Sequence, residues 1–266
     1  MSKPKISILM TVFNHEKFVK TSIKSILSQN FKNFELIVVN NGSSDQSGDI
    51  IKKIRDERIK KFFLKKNIGR TKCLNYGLKK CKGKYIAIQD SDDISKKNRL
   101  RKQINFLENN PKIPLVASFY NVIDENGKKI QIKIDSKIKN IKEKMFINNL
   151  VAHSTVMYRR SLLSKVGAYP KNFYYAQDYA FYLKVLKFFS IKIFNERLVS
   201  IRTNHKNSET FRLNKSFTIL KEEINLIKWI SQNFKLKLKT KVKIFFKLTK
   251  IILKFFFIIL KKFLYS

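Results

Sequence analysis

Glycine, proline and cysteine are scarce in this chain, and each scarcity excludes a class of protein. With 7 glycines and 4 prolines among 266 residues, the composition is typical of neither a fibrous nor a disordered protein. The two cysteines, Cys73 and Cys81, have a spacing that fits neither a disulfide framework nor a paired metal motif. We therefore expect two buried thiols in a reducing compartment. The chain is long enough for one sizeable domain, with or without an appendage.

Acidic residues are few, and the balance of charge is strongly basic. The chain has 19 Asp and Glu against 57 Lys and Arg, which gives a formal charge of +38. Such a charge favours anionic partners such as phosphates, nucleic acid or acidic lipid. The abundance of Lys, Ile, Asn and Phe also indicates an AT-rich genome, so the placement of the charge is more informative than its total. The first residues lack the pattern of a secretory signal peptide, and we expect a cytoplasmic protein.

Strand and helix patterns alternate in the first third of the chain. Buried strands are predicted at 5–13, 34–39, 59–64 and 84–89, and helices at 16–29, 46–55 and 70–81. This alternation predicts a doubly wound α/β sheet. Ligands bind such sheets at the carboxyl ends of the strands. Polar residues stand at those ends: Asn14, His15, Asn40, Asn41, Asp90, Asp92 and Asp93.

The pattern after residue 95 is less regular but continues the same body. Helices are predicted at 96–109, 137–148, 161–166 and 177–189, strands at 114–119, 155–158, 191–194 and 198–202, and a hairpin turn at 125–127. No linker rich in Gly, Ser or Pro interrupts this part of the chain. We therefore predict one domain over residues 1–211.

The tail, residues 212–266, has a different pattern. No acidic residue follows Glu223, and lysines recur at helical spacing on one face: Lys243, Lys247, Lys250, Lys254 and Lys261. A membrane span needs about 20 mainly apolar residues, and the longest stretch without Lys within 243–262 is 255–260. We predict a basic amphipathic helix that lies on an anionic membrane surface, at the inner face of the plasma membrane. The alternative is that this helix packs on the protein or on a partner chain.

Three carboxylates stand together in Asp90-Ser91-Asp92-Asp93, at the end of a predicted strand. Such carboxylates repel each other unless a cation lies among them, and their hard oxygens suit Mg²⁺ or Mn²⁺, which also bridge phosphates. Capping of the following helix is the alternative, but it explains one Asp rather than three.

Other candidates are weaker when taken alone. Asp178 begins a predicted helix after an aromatic stretch, where its carboxylate would suit a general base. Taken alone, Asp178 is better explained as a favourable charge at a helix N-terminus, without any catalytic role. His15, His153 and His205 are expected to be packed or solvated residues, although His205 follows a strand from which it would reach a metal or phosphate.

Ordered stretches over residues 5–205 resemble the family 2 glycosyltransferases of the GT-A fold, the bacterial group that builds surface polysaccharides. The matching stretches are Ile6–Asn14, Ser25–Val39, Asn41–Asp45, Asn67–Arg70, Asn75–Gly77, Gly83–Ile94, His153–Arg159, Val166–Tyr169 and Ala176–Tyr179. The resemblance implies a Rossmann-like, doubly wound mixed sheet, followed here by the basic amphipathic tail. It also implies a metal-dependent, inverting transfer of a sugar from a nucleotide sugar to a glycan or lipid-linked acceptor.

The resemblance implies a role for each matching position. One group would contact the nucleotide and its phosphates: Thr11, Asn14, Asn40, Asn41, Asn67 and Arg70. Asp92 and Asp93 match the metal-binding motif, with Asp92 nearer the ribose and Asp93 the more direct ligand of Mg²⁺ or Mn²⁺. Asp90 would support them, and His205 would lie near the metal and the diphosphate. Asp178 matches the catalytic base.

One departure from the family pattern leaves the donor open. The family has acids where this chain has Asn40 and Asn41, and an amide accepts a hydrogen bond without the charge of a carboxylate. A UDP-sugar is the favoured donor, but weaker nucleotide binding, another base and an inactive relative stay open. A non-catalytic binder of anionic membranes or nucleic acid is the other alternative. The acidic cluster argues against nucleic acid, because it would repel phosphodiesters.

Overall fold

The computed structural model describes residues 3–130, 140–203 and 217–264. Its strands are β1 (Ile6–Val12), β2 (Phe34–Asn40), β3 (Ile59–Phe63), β4 (Tyr85–Ile88), β5 (Ile94–Ser95), β6 (Leu115–Ile123), β7 (Lys129–Ile130), β8 (Met157–Arg159) and β9 (Ile191–Arg202). Its α-helices are α1 (Val19–Leu27), α2 (Ser47–Lys53), α3 (Arg70–Lys80), α4 (Arg99–Asn109), α5 (Ile141–Met145), α6 (Leu162–Val166), α7 (Gln177–Phe188), α8 (Phe217–Asn233) and α9 (Leu238–Leu264).

The described strands form one mixed sheet in the order β3-β2-β1-β4-β8-β6-β9-β5, with β7 added to β6. β1 pairs in parallel with β2 and β4, so Leu9 lies between Ile37 and Ile88. β8 runs antiparallel to both β4 and β6, and β6 pairs in parallel with β9. The predicted α/β architecture, with a Rossmann-like first half and a mixed sheet, is therefore confirmed.

Both faces of the sheet are covered by apolar residues. In β1, Ile8 and Met10 pack with helix residues such as Ile23 of α1 on one face. Leu9 points to the other face, where it joins a second cluster that includes Leu74 of α3 and Phe181 of α7. Because side chains alternate along a strand, a strand buried on both faces must be apolar throughout. This burial explains the nearly continuous apolar runs of β1, β2 and β4, whereas β3, at the edge of the sheet, carries Lys60 and Lys61.

The helices after residue 216 pack on the same body. Leu226 and Ile227 of α8, and Ile244 and Ile251 of α9, belong to the core cluster that contains Leu9. The predicted boundary between 1–211 and 212–266 falls in residues that the structure does not describe, so this division stays a prediction. Over the described ranges, no helix combines the length and the apolar character that crossing a bilayer requires.

Several predicted elements differ from the structure. Of the helix predicted at 137–148, the described part is helical only over Ile141–Met145, and the Asn148-Asn149 pair that follows favours a turn. The strands predicted at 191–194 and 198–202 are one strand, β9. The register of β9 against β6 shifts on either side of Phe119, which indicates a β-bulge. Such a bulge accommodates the polar residues that, in the sequence, suggest a break between two strands.

The start of α4, the two-residue strand β5 and helix α8 also differ from the prediction. α4 begins at Arg99 rather than at residue 96, because Ile94–Ser95 form the short strand β5 against β9. α8 was not predicted as a separate helix. The two cysteines are confirmed as buried free thiols, and burial raises the pKa of each to about 12.

Candidate active site

The turns after β1 and β2 are joined by polar side chains at the carboxyl edge of the sheet. Asn14 has a φ of 55°, in the left-handed region that Asn tolerates better than most residues. Its Oδ1 accepts the N–H of Ser44 at 2.9 Å, and its own N–H donates to Ser43 Oγ at 3.1 Å. Thr11 lies half-buried in β1, beside Val39 of β2. Thr11 and Asn14 are therefore placed at the edge where the resemblance expects the nucleotide.

Three asparagines hold the neighbouring loops. Asn40 Oδ1 accepts both the N–H (3.3 Å) and the hydroxyl (2.6 Å) of Ser43. Asn41 Nδ2 donates to Asn67 Oδ1 at 2.9 Å, while Asn41 Oδ1 accepts the N–H of Ile68 at 3.1 Å. Asn40 and Asn41 are both buried. The amide of Asn41 thus uses a donor that a carboxylate would lack, which gives this departure from the family pattern a structural reason.

Asp90 forms an ion pair within the protein. Arg70 Nη2 lies 3.1 and 3.2 Å from the two carboxylate oxygens of Asp90, and His153 Nδ1 lies 3.3 Å from Oδ1. Burial opposes ionisation of Asp90, but the charges of Arg70 and His153 outweigh it and hold its pKa well below the usual range. Asp90 therefore has cationic partners within the protein, and the cation site of the acidic turn stays a prediction.

Asp93 is in the opposite situation. It is 2% exposed, and its Oδ1 accepts the backbone N–H of Arg202 at 2.9 Å. Burial and the charges of Asp92 and Asp90 raise the pKa of Asp93 well above its ordinary value. A buried carboxylate in this environment gains from binding a cation.

The donor chemistry of this pair fits a hard divalent ion. Asp92 is half-buried beside Asp93, and Mg²⁺ or Mn²⁺ takes carboxylate oxygens together with water and phosphate oxygens. Within 3–130, 140–203 and 217–264, no three His, Cys, Asp or Glu side chains are grouped to hold a metal. His205, the third expected metal residue, lies outside the described residues.

The buried side chain of Arg99 holds the residues on both sides of the acidic turn. The guanidinium of Arg99 is fully buried and donates to Gln89 Oε1 (2.9 Å), Ser95 Oγ (2.9 Å) and the carbonyl of Ile88 (2.8 Å). Burial lowers the pKa of Arg99 to about 9, against the opposing effect of the charges of Asp93 and Asp90. Sequence reasoning missed Arg99, because an Arg in a helical pattern reads as a surface residue.

Asp178 lies in the first turn of α7 and is half-buried. Its Oδ1 accepts the N–H of Tyr179 at 2.7 Å, and its Oδ2 lies 3.4 Å from Asn149 Nδ2. Burial raises the pKa of Asp178, the charges of His153 and Arg70 oppose this rise, and the charge of Asp90 adds to it. Asp178 therefore shares an electrostatic environment with the ion pair that follows β4.

Arg70 connects the two acidic regions. In the amide orientation that satisfies its hydrogen bonds, Gln177 accepts from Arg70 Nε at 3.3 Å and donates to the carbonyls of Tyr174 and Tyr175. Arg70 therefore contacts Asp90 through Nη2 and the residue before Asp178 through Nε. The sequence singled out Arg70 only as a phosphate contact, and its side chain pairs with Asp90 in this structure.

Comparison with known proteins decides the family. The sequence profile described as glycosyl transferase family 2 matches residues 7–167. The chain belongs to glycosyl transferase family 2. This match covers the first strands, the acidic turn and the ion pair of Asp90, but it ends before Asp178. The resemblance inferred from the motifs is confirmed.

Curated relatives of this family 2 glycosyltransferase are described as glycosyltransferases. The uncharacterised glycosyltransferase MJ1057 of Methanocaldococcus jannaschii is 34% identical over 222 residues, which are 81% of this chain and 76% of that protein. The O-antigen biosynthesis glycosyltransferase WbnJ of Escherichia coli is 34% identical over 190 residues, which are 68% of this chain and 71% of that protein.

Solved structures confirm the GT-A fold of this family 2 glycosyltransferase. TarS residues 1–349 of S. aureus, in complex with UDP-GlcNAc, match with a TM-score of 0.71 and 20% identity, over 93% of this chain and 71% of that one. The mannosyltransferase PcManGT of Pyrobaculum calidifontis, in complex with GDP-Man and Mn²⁺, matches with a TM-score of 0.69 and 13% identity, over 93% and 70% of the chains.

Proposed function

We propose that the protein is a metal-dependent, inverting glycosyltransferase that moves a sugar from a nucleotide sugar to a glycan or lipid-linked acceptor. The observation that carries this proposal is the pair of contacts made by Arg70. Through Asp90 it is joined to the acidic turn, and through Gln177 to the helix turn that bears Asp178. The acidic turn, which suits a cation, and Asp178, which suits proton abstraction, therefore border one hydrogen-bonded network centred on Arg70. A displacement at an anomeric carbon needs two such groups held in place together.

The donor would lie along the carboxyl edge of the sheet. Thr11, Asn14 and the loop of Asn41 and Asn67 would face the nucleoside, and Asp92 would lie nearer the ribose. The solved relatives bind UDP-GlcNAc or GDP-Man, so two nucleotide bases occur with this fold. A UDP-sugar stays the favoured donor, and the paired amides of Asn41 and Asn67 make a guanosine donor the specific alternative to test.

The residues of the chain divide the chemistry between them. The carboxylate of Asp178 takes the proton of the acceptor hydroxyl while that oxygen forms a bond with the anomeric carbon. The bond between the anomeric carbon and the phosphate oxygen breaks, and its electron pair leaves with the nucleoside diphosphate. Attack from the face opposite the leaving group inverts the anomeric configuration. Asp92 and Asp93 would hold Mg²⁺ or Mn²⁺. The bound ion would neutralise charge on the diphosphate.

A transfer assay over nucleotide sugars tests this proposal. Wild-type protein is incubated with UDP-, GDP- and dTDP-sugars, with Mn²⁺, Mg²⁺ or a chelator, and released nucleoside diphosphate is measured. We expect one donor class to be turned over and turnover to stop with the chelator. A thermal shift with that donor but no turnover would instead favour a degenerate binding protein, and salt-sensitive DNA binding that survives Asp93→Ala would favour the nucleic-acid alternative.

We also propose that α9 docks the enzyme on an anionic membrane at the cytoplasmic face. Ile244 and Ile251 of α9 are buried in the core, whereas Phe245 and Phe256 are 66% and 63% exposed. One side of the helix therefore packs on the protein while a second side presents aromatic rings. The lysines of α9 differ in their contacts. Lys247 Nζ donates to the carbonyl of Ile147 at 2.6 Å, so Lys247 helps to hold α9 on the protein.

The exposed surface of α9 fits a lipid surface by shape and charge. Among the side chains of α9 that the structure describes, the exposed large apolar residues are Leu238, Val242, Phe245, Phe246, Ile252, Leu253 and Phe256. Lys243, Lys250 and Lys254 are exposed beside them. A helix with an aromatic face and a basic flank binds an anionic interface through apolar burial and through attraction to lipid headgroups. Because Ile244 and Ile251 on the opposite side pack into the protein core, they would fix how the site faces the membrane.

Replacing Phe245 and Phe256 with Ser together is expected to release the protein from anionic vesicles. Burying each ring contributes about 1.5–3 kcal/mol, so the partition coefficient should fall by at least about 10²-fold. Co-sedimentation with phosphatidylglycerol vesicles measures this fall. The matched control replaces Phe63 and Phe188, which are 42% and 48% exposed elsewhere on the protein. Equal sedimentation of both double variants would remove α9 as the docking surface.

A further inference from the structure

A buried glutamate of α8 contacts the turn that precedes Asp178. Glu222 is 5% exposed, although it lies in a helix beyond the 7–167 match to the family. Its Oε1 accepts the N–H of Tyr174 at 2.6 Å, and its Oε2 accepts the N–H groups of Tyr175 (3.0 Å) and Ala176 (2.9 Å). One carboxylate thus accepts three successive backbone amides.

These three amides stand directly before α7. The first N–H groups at the start of an α-helix have no partner within the helix, and a negative charge near that end is stabilised by the helix dipole. The structure gives α7 no side-chain cap of its own. From another helix, Glu222 supplies that charge and accepts the N–H of Ala176, the N-cap residue of α7, together with the N–H groups of the two residues before it.

The same turn is held from its other side. Gln177 donates to the carbonyls of Tyr174 and Tyr175 and accepts from Arg70, and Thr71 Oγ1 donates to the carbonyl of Phe173 at 2.7 Å. The N–H groups of the turn are therefore fixed by α8, and its carbonyl groups by α7 and α3. Such a doubly held turn leaves the start of α7 little freedom to move.

The position of Glu222 is itself fixed by packing. Leu226 and Ile230, one and two turns further along α8, are buried in the core cluster. The neighbouring Glu223 lies 3.6 Å from Lys247 of α9, which ties the two tail helices together. The carboxylate of Glu222 is thus presented from a rigid element rather than from a loop.

We propose that Glu222 is a positioning residue for Asp178, and this inference rests on the proposed role of Asp178 as the base. By holding amides 174–176, Glu222 sets the start of α7 and hence the place of the Asp178 carboxylate relative to the acceptor hydroxyl. The tail is then part of the catalytic body as well as a membrane contact. An error of about 1 Å in such placement can cost about 10²-fold in rate.

Kinetics and hydrogen exchange of two Glu222 variants test the proposal. Glu222→Ala removes all three acceptors, whereas Glu222→Gln keeps one carbonyl oxygen and should be intermediate. We expect Glu222→Ala to lower kcat by about 10- to 10²-fold, with the KM for the nucleotide sugar within about twofold of wild type. Exchange of the amides at 174–176 should be faster. Glu57→Gln, at an exposed glutamate outside this turn and outside α8, is the control and should change neither quantity.

Each outcome decides between specific accounts. Faster exchange with an unchanged kcat would overturn the positioning role, and unchanged exchange would overturn the contact on which it depends. A donor KM that rises as much as kcat falls would overturn it as well, because the effect would then lie at the nucleotide. A wild-type protein that transfers no sugar overturns the proposed function itself. If Glu222→Ala does not fold, the same criteria apply to Glu222→Gln.

Discussion

Asp178→Asn is expected to lower kcat for sugar transfer by about 10²- to 10⁴-fold, the range that a positioned general base contributes. The amide cannot take the proton of the acceptor hydroxyl at neutral pH, while its size and most of its hydrogen bonds are kept. The Kd of the nucleotide should change by less than about threefold, because Asp178 lies in α7 and the proposed nucleotide site lies at the turns after β1 and β2. Single-turnover transfer and nucleotide titration measure the two quantities.

Asp49→Asn is the matched control for this substitution. Asp49 also stands in the first turn of a helix, α2, and pairs with Lys52 at 3.0 Å on the surface. If Asp178 served only as a favourable charge at a helix start, the two variants would behave alike. Equal loss of nucleotide binding and transfer in Asp178→Asn would remove it as the base.

The pH dependence of the same residue has a defined sign. Burial raises the pKa of the Asp178 carboxyl. The fall of kcat at low pH should therefore have its midpoint above the ordinary pKa of an Asp carboxyl, about 3.9. A raised folded-state pKa favours the protonated form, so Asp178 costs stability as pH rises through that pKa. The Asp178→Asn variant lacks this cost, and its Tm at pH 7 should equal or exceed that of wild type. A lower Tm would contradict the assigned cause of the shift.

Asp93→Asn is expected to lower transfer by about 10³-fold and to abolish its stimulation by Mn²⁺. A bound divalent ion contributes several kcal/mol of charge stabilisation, and about 1.4 kcal/mol corresponds to a tenfold change in rate. The Asn side chain keeps an acceptor for the N–H of Arg202 but loses the charge that would hold the ion. Transfer rates over a Mn²⁺ titration measure the effect.

The control for Asp93 is an acid whose charge is already balanced. The Asp56 carboxylate lies 2.8 Å from Arg58 Nη2, and its hydrogen bond to Arg58 lowers its pKa. Asp56→Asn should leave the Mn²⁺ dependence of transfer unchanged. Full metal-stimulated transfer by Asp93→Asn would show that the acidic turn serves only to cap and pack.

The regular part of the fold was predictable from the sequence because local pattern and burial agree there. The apolar runs of β1, β2 and β4 are buried on both faces, as a parallel strand between helices requires. Turn residues such as Asn14 and Asn41 follow those strands directly. The alternation of strands and helices therefore places these residues at the carboxyl edge of the sheet, whereas their roles towards a nucleotide come from the resemblance to the family.

The features that the sequence does not predict depend on contacts between segments far apart in the chain. β5 is a two-residue strand that exists only because β9 pairs with it. Arg70 lies in α3 and Asp90 in the turn after β4, and no local spacing indicates their ion pair. The contact of Glu222 with the turn before α7 is likewise tertiary. In each case the local sequence is compatible with a surface residue or a loop.

The central claim is that Asp92 and Asp93 hold a divalent ion beside the nucleotide diphosphate, with Asp178 across the same cavity. Anomalous diffraction from crystals grown with Mn²⁺ and the nucleoside diphosphate of the donor tests it most directly. The account predicts a manganese peak bonded to the Asp93 carboxylate and to phosphate oxygens, with the Asp178 carboxylate facing the same space. A peak away from Asp92 and Asp93, or an Asp178 that faces bulk solvent on another surface, would contradict it.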